Sequence, residues 1–133
     1  MAAVAATRGR PYAGFRKHLK VLLKTMNSFT LADLEKRVKE RAAATADVSY
    51  TRKLLDKGVS HCAKKFGEEA VETVLAAVAE DRERLIAESA DTLYHLLVLL
   101  EARGVTLAEV EALLETRTKK SGLEEKASRR DSE

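Results

Sequence analysis

The run LYHLLVLL at residues 93–100 is apolar on nearly every side of any helix it forms. Such a helix must be covered around most of its circumference. Helical spacing extends it from about Arg84 to Arg103, and one proline and six glycines in 133 residues leave long helices unbroken. A chain of this length supports one modest core. A second copy is therefore the natural cover, giving an all-α bundle of four to five helices completed by homodimerisation, with pairing of dimers left open. No strand pattern and no long-period repeat competes with this reading. The apolar stretch Leu96 to Leu100 is far too short to span a bilayer.

Capping signals divide the chain. Thr30 caps a first helix through Leu31, Leu34 and Val38 to about Ala44, with Asp33 at the third position. Ser49 or Thr51 caps a short second helix that stops near Lys57-Gly58. A third helix runs from about Ser60 to Ala79, with Phe66, Ala70, Thr73, Val74, Ala77 and Val78 on its expected apolar stripe. Asp81 to Arg84 is a charged turn or the start of the fourth helix, which Gly104 ends. Thr106 and Glu109 form a capping box on a fifth helix from Leu107 to about Thr116. Residues 1–27 read as a basic extension, 28–120 as the domain and 121–133 as a polar tail.

The net charge of +3 hides an asymmetry. Residues 1–26 hold six cations and no acid, leaving the remaining 107 residues at −3. The domain is mildly acidic, which argues against nucleic acid as its partner. An Arg-rich, acid-poor leader is compatible with a transit signal, a flexible arm, or an upstream start ahead of Met26. The lone cysteine, Cys62, excludes a disulfide framework and suits a reducing, cytoplasmic setting; it reads as a small core residue.

Four carboxylates carry the chemistry. Glu69 and Glu72, then Glu88 and Asp91, each stand at i, i+3 and so share one face of a helix. None has a cation four residues downstream, where Thr73, Ala76, Thr92 and His95 stand, whereas Glu80 has Arg84 there as an ordinary solvated pair. Any one of these acids is ordinary on a helix surface. Two acid pairs on neighbouring helices, at the edge of a core, call for a hard divalent cation, because burying unpaired carboxylates is costly. Mg²⁺ fits, as it prefers oxygen and completes its shell with water and substrate phosphates. Zinc fits less well, since His95 is alone on that face; it and Tyr94 read as packed core residues.

GEEAVE, followed after fifteen residues by ESAD, resembles the EExxE…ExxD signature of the MazG-type all-α nucleotide pyrophosphohydrolases. FTLADLEKRV (29–38), SYTRKLLDKGV (49–59), CAKKFGEEAVETVLAAV (62–78), ESADTLYHLLVLL (88–100) and SGLEEKASR (121–129) are similar to the phosphoribosyl-ATP pyrophosphohydrolases of histidine biosynthesis. The resemblance implies Mg²⁺-dependent hydrolysis of phosphoribosyl-ATP to phosphoribosyl-AMP and pyrophosphate. It implies Glu69, Glu72, Glu88 and Asp91 as metal ligands, for one or two ions, with Mn²⁺ as a substitute. Glu68 would be an accessory ligand or orient water, and Glu72 or Glu68 would accept the water's proton. Lys53, Lys57, Lys64 and Lys65 are the candidates for phosphate contacts. Two other functions compete: a house-cleaning hydrolase of other nucleoside triphosphates using the same acids, and a non-enzymatic dimeric helical adaptor.

Overall fold

The computed structural model of the chain describes residues 29–119 together with Glu124 and Ala127. The readings of the basic extension and most of the SGLEEKASR segment lie outside these residues. The chain divides into two units, Met1–Thr30 and Leu31–Glu133. The second carries five helices: α1 Leu31–Ala42, α2 Tyr50–Asp56, α3 Val59–Ala79, α4 Arg82–Ala102 and α5 Leu107–Thr118. No strand occurs among the described residues.

The ends of these helices follow side-chain chemistry. Ser49, not Thr51, caps α2: its Oγ accepts from the Arg52 N–H at 3.1 Å and donates to the Arg41 carbonyl at 2.9 Å. Thr51 lies inside the helix, buried, and its hydroxyl meets Tyr94 Oη at 2.7 Å. Asp81 caps α4, accepting from the Arg84 N–H at 2.9 Å, so the charged segment after α3 is a helix start. Gly104, at φ +67°, turns the chain out of α4, and the Val105 N–H closes onto the Leu100 carbonyl at 3.0 Å.

With so short a connection, α3 and α4 form an antiparallel hairpin, the most extensive helix pair in the molecule. The C-terminal half of α4 is where α1, α2 and α5 gather. Val38, Leu54, Cys62, Leu97, Val98 and Leu107 are the buried core there, packed against Leu34, Leu55, Tyr94 and Leu99. Cys62 fills space as expected; its thiol donates to the Leu54 carbonyl at 3.3 Å, and burial pushes its pKa up.

The expected apolar stripe of α3 holds in part: Phe66, Ala70 and Thr73 are half-buried, whereas Val74, Ala77 and Val78 are exposed. Cys62 and Ala76 are its buried residues, and Glu69 and Thr73 lie on the same inward line at helical spacing. Val74 and Val78, placed in the core by periodicity, are exposed, Val78 at 83%. The acids therefore belong to the helix–helix seam and the valines to the outside.

Candidate metal centre in the α3–α4 hairpin

The seam between α3 and α4 is polar for several turns. Thr73 Oγ1 and Thr92 Oγ1 lie 2.7 Å apart and fix the register of the two helices. On this register the acid pairs meet. One oxygen each from Glu69, Glu88 and Asp91 lie within 4.8 Å of one another. Glu72 is outside that trio but near enough to act on the Glu88 carboxyl. Glu68 points elsewhere: it is exposed and held by Lys65 at 3.1 Å and Lys64 at 3.8 Å. The Lys65 ammonium holds the Glu68 carboxyl below its ordinary range.

The acids are less bare than their downstream neighbours suggest. For Glu69 and Glu88 a cation sits four residues upstream. Lys65 Nζ is 3.9 Å from Glu69, and Arg84 bonds Glu88 while also holding Glu80 at 3.0 Å. Arg84 is thus a bridge between two acids rather than half of an isolated surface pair. A helical residue meets partners at i−4 as well as i+4, so this signal was open to inspection in the sequence.

Burial divides the cluster. Glu88 is 4% exposed, Glu69 is half-buried, and Asp91 is exposed. Burial pushes the Glu88 carboxyl above its ordinary range; Arg84 opposes this, while Glu72 and Asp91 reinforce it. Three convergent carboxylates, one of them buried and crowded by Asp91 and by Glu72 outside the trio, form an oxygen-only donor set that fits a hard divalent ion.

His95 closes the inner end of the cluster. Its Nε2 lies 3.9 Å from Glu69 Oε1, and its ring meets Tyr94 and Tyr50 edge-on at centroid distances of 5.0 and 6.5 Å. Its Nδ1 is buried without a hydrogen-bond partner. Burial first, and then the Lys65 charge, lower its pKa, so the imidazole is neutral at neutral pH. His95 is packed, as its sequence context suggests, yet it touches the acid cluster. Tyr50, which reaches His95 from α2, had no sequence signal linking it to the acids.

Lys53 and Lys57 lie apart from this cluster, on the wall of a cavity of about 300 Å³ formed with Ala46, Tyr50, Leu54 and His61. Of the four lysines named from the sequence, Lys64 and Lys65 engage the acids of α3 and the other two open onto this cavity.

Comparison with known proteins agrees with this architecture. The sequence model of the family described as phosphoribosyl-ATP pyrophosphohydrolase matches residues 31–118, from the first residue of α1 to the last of α5. A protein of Bradyrhizobium diazoefficiens named phosphoribosyl-ATP pyrophosphatase 1 is 67% identical over 106 residues, covering 80% of this chain and 100% of the relative. One of the same name from Rhodopseudomonas palustris is 65% identical, covering 79% of this chain and 98% of its own length. A phosphoribosyl-ATP pyrophosphatase of Rhizobium meliloti is 54% identical, with 80% and 99% covered. With all five helices inside the match and its relatives covered almost end to end, the chain belongs to the phosphoribosyl-ATP pyrophosphohydrolase family.

Proposed function

We propose that this chain hydrolyses phosphoribosyl-ATP to phosphoribosyl-AMP and pyrophosphate at the carboxylate cluster of the α3–α4 hairpin, with Mg²⁺ as its cofactor. The activity, a step of histidine biosynthesis, follows from membership of the family and from relatives more than 60% identical that bear its name. The observation that carries the assignment of the site is the convergence of Glu69, Glu88 and Asp91. Those three residues and Glu72 would hold the ion. When bound, Mg²⁺ neutralises phosphate oxygens and lowers the pKa of a water in its shell.

The chain's own groups supply the rest. A polyphosphate cannot approach bare carboxylates, so the acids select the substrate as its magnesium complex. Glu72 borders the cluster without an ion pair of its own among the described residues, which makes it the better acceptor for the water's proton. Glu68, its carboxyl held down by Lys65, is a weaker base and serves to hold the two lysines. The neutral, buried His95 keeps Glu69 turned toward the seam and excludes water behind it.

The working unit is a homodimer. The distal half of the hairpin leaves Val71, Val74, Leu75 and Val78 of α3 and Ile86 and Leu93 of α4 exposed. Apolar surface on that scale marks an interface. No helix among the described residues is long and apolar enough to cross a membrane. The buried free thiol of Cys62 suits a reducing cytoplasm.

The experiment is phosphoribosyl-ATP turnover by the purified chain, read as pyrophosphate release, with Mg²⁺ titrated in and with Asp91→Asn alongside. Turnover should vanish in chelator and return with Mg²⁺ or Mn²⁺, and the folded variant should lose about a hundredfold or more. Normal turnover in chelator, or in the variant, would overturn the metal assignment.

A further inference from the structure

Phosphoribosyl-ATP differs from ATP by a second ribose that carries a phosphate. Its two anionic groups lie at opposite ends, with the base between them. The acid cluster accounts for the triphosphate end only. The second phosphate needs cations, and the cluster's own surroundings have none to spare: Lys64 and Lys65 are engaged by Glu68 and Glu69, and Arg84 by Glu80 and Glu88.

The cavity beside α2 has the missing chemistry. Lys53 and Lys57 stand one helical turn apart on one wall, and neither has an ion-pair partner among the described residues. Asp56, the acid on the same wall, is taken by Arg52. The two lysines on this wall therefore have no acid to neutralise them among the described residues, and the cavity's volume of about 300 Å³ accommodates a sugar phosphate. Two of its walls lead to the acid cluster. Tyr50 contacts His95, which lies 3.9 Å from Glu69, and His61 is near enough to act electrostatically on Glu68 and His95.

We propose that this cavity is a second anion subsite, in which Lys53 and Lys57 bind the phosphate of the phosphoribosyl group while Tyr50 flanks the base. The subsite rests on the reading of the chain as a phosphoribosyl-ATP hydrolase and deepens it: it is what separates this substrate from ordinary nucleoside triphosphates. Two charge-assisted contacts from the lysines supply the discrimination.

The test compares two substrates, phosphoribosyl-ATP and the same molecule without its terminal ribose phosphate, in the wild type and in the Lys53→Met/Lys57→Met double variant. Both lysines are exposed, and methionine keeps most of the stem, so thermal melts should match. The readout is the ratio of kcat/KM for the two substrates. It should be about a hundred in the wild type and fall to within a few-fold of one in the double variant, each single variant giving about a tenfold drop. A wild-type ratio near one overturns the subsite. So does a variant ratio that stays high, whether or not absolute rates fall. Absence of pyrophosphate release from phosphoribosyl-ATP by the wild type would instead overturn the activity itself.

Discussion

At the scale of single residues, Glu88 concentrates the conflict between folding and chemistry. It is buried at a helix–helix seam, crowded by Glu72 and Asp91, and relieved by Arg84, which is itself mostly exposed. A carboxyl whose folded pKa is raised contributes stability that is present below its unfolded pKa and lost as pH rises through the folded one. The ionised form of Glu88 is therefore disfavoured in the metal-free protein. Glu88→Gln keeps the shape and removes the charge. Its thermal midpoint should exceed the wild type's at pH 7 to 8 without metal, and the gap should close as pH falls through the ordinary carboxylate range. Turnover should fall by about a hundredfold or more. A variant that melts lower at neutral pH would mean that the Arg84 pair outweighs the burial. The acids were legible in the sequence because helical spacing alone puts them on one face. Their cations do not show in a reading of downstream neighbours alone, because Lys65 and Arg84 lie upstream. Tyr50 was beyond reach, since its contact with His95 depends on where α2 docks.

At the scale of elements, the caps show why the helix boundaries could be read so closely. Ser, Asp and Thr hydroxyls or carboxylates satisfy amide groups at the start of α2, α4 and α5, and those residues are visible as letters. The capping box of α5 is complete: Thr106 Oγ1 accepts from the Glu109 N–H at 3.2 Å, and Glu109 Oε2 accepts from the Thr106 N–H at 2.7 Å. Next to it, the Leu107 N–H donates to Glu35 Oε2 at 2.7 Å, which ties α5 to α1. Thr106→Ala should cost about 1 kcal/mol in urea unfolding at neutral pH. The Thr106 amide holds the Glu109 carboxyl below its ordinary range. Its share of the stability is thus present above the unfolded carboxylate pKa and lost as pH falls through the lower, folded one. An unchanged urea midpoint in the variant would show that the Glu35 bond alone anchors α5. Only part of the expected face of α3 turns inward, for a physical reason. Periodicity identifies an apolar stripe but not what covers it, and here the inward line runs through Glu69 and Thr73, because the seam is built around a polar site.

At the scale of the molecule, the exposed valines and the buried acids are two sides of one arrangement. Because α3 turns Glu69 and Thr73 toward α4, its apolar stripe at Val71, Val74, Leu75 and Val78 is directed away, at the 3.6-residue spacing of a packed face. The core that α1, α2 and α5 complete lies toward the other end of the hairpin and leaves this stripe uncovered. The apolar run of α4 is largely covered within one chain, where Leu97 and Val98 are buried by α1, α2 and α5, so it is the outward stripe of α3 that a second copy would cover. Val78 gives the cleanest probe, since at 83% exposure it contributes almost nothing to the fold of one subunit. Val78→Asp should leave the subunit's helix content intact, because exposed substitutions of this kind change stability by only about 0.5 kcal/mol. In a dimer interface the same carboxylate would be buried without a partner, a penalty of roughly 3 kcal/mol or more per copy. Both copies carry it, so the dimer should dissociate at micromolar concentration. Sedimentation equilibrium should then report a dimer for the wild type and a monomer of 14.7 kDa for the variant. The melting temperature of the wild type should rise with protein concentration and that of the variant should not. A variant that still sediments as a dimer would put the interface elsewhere and leave the outward stripe of α3 unexplained.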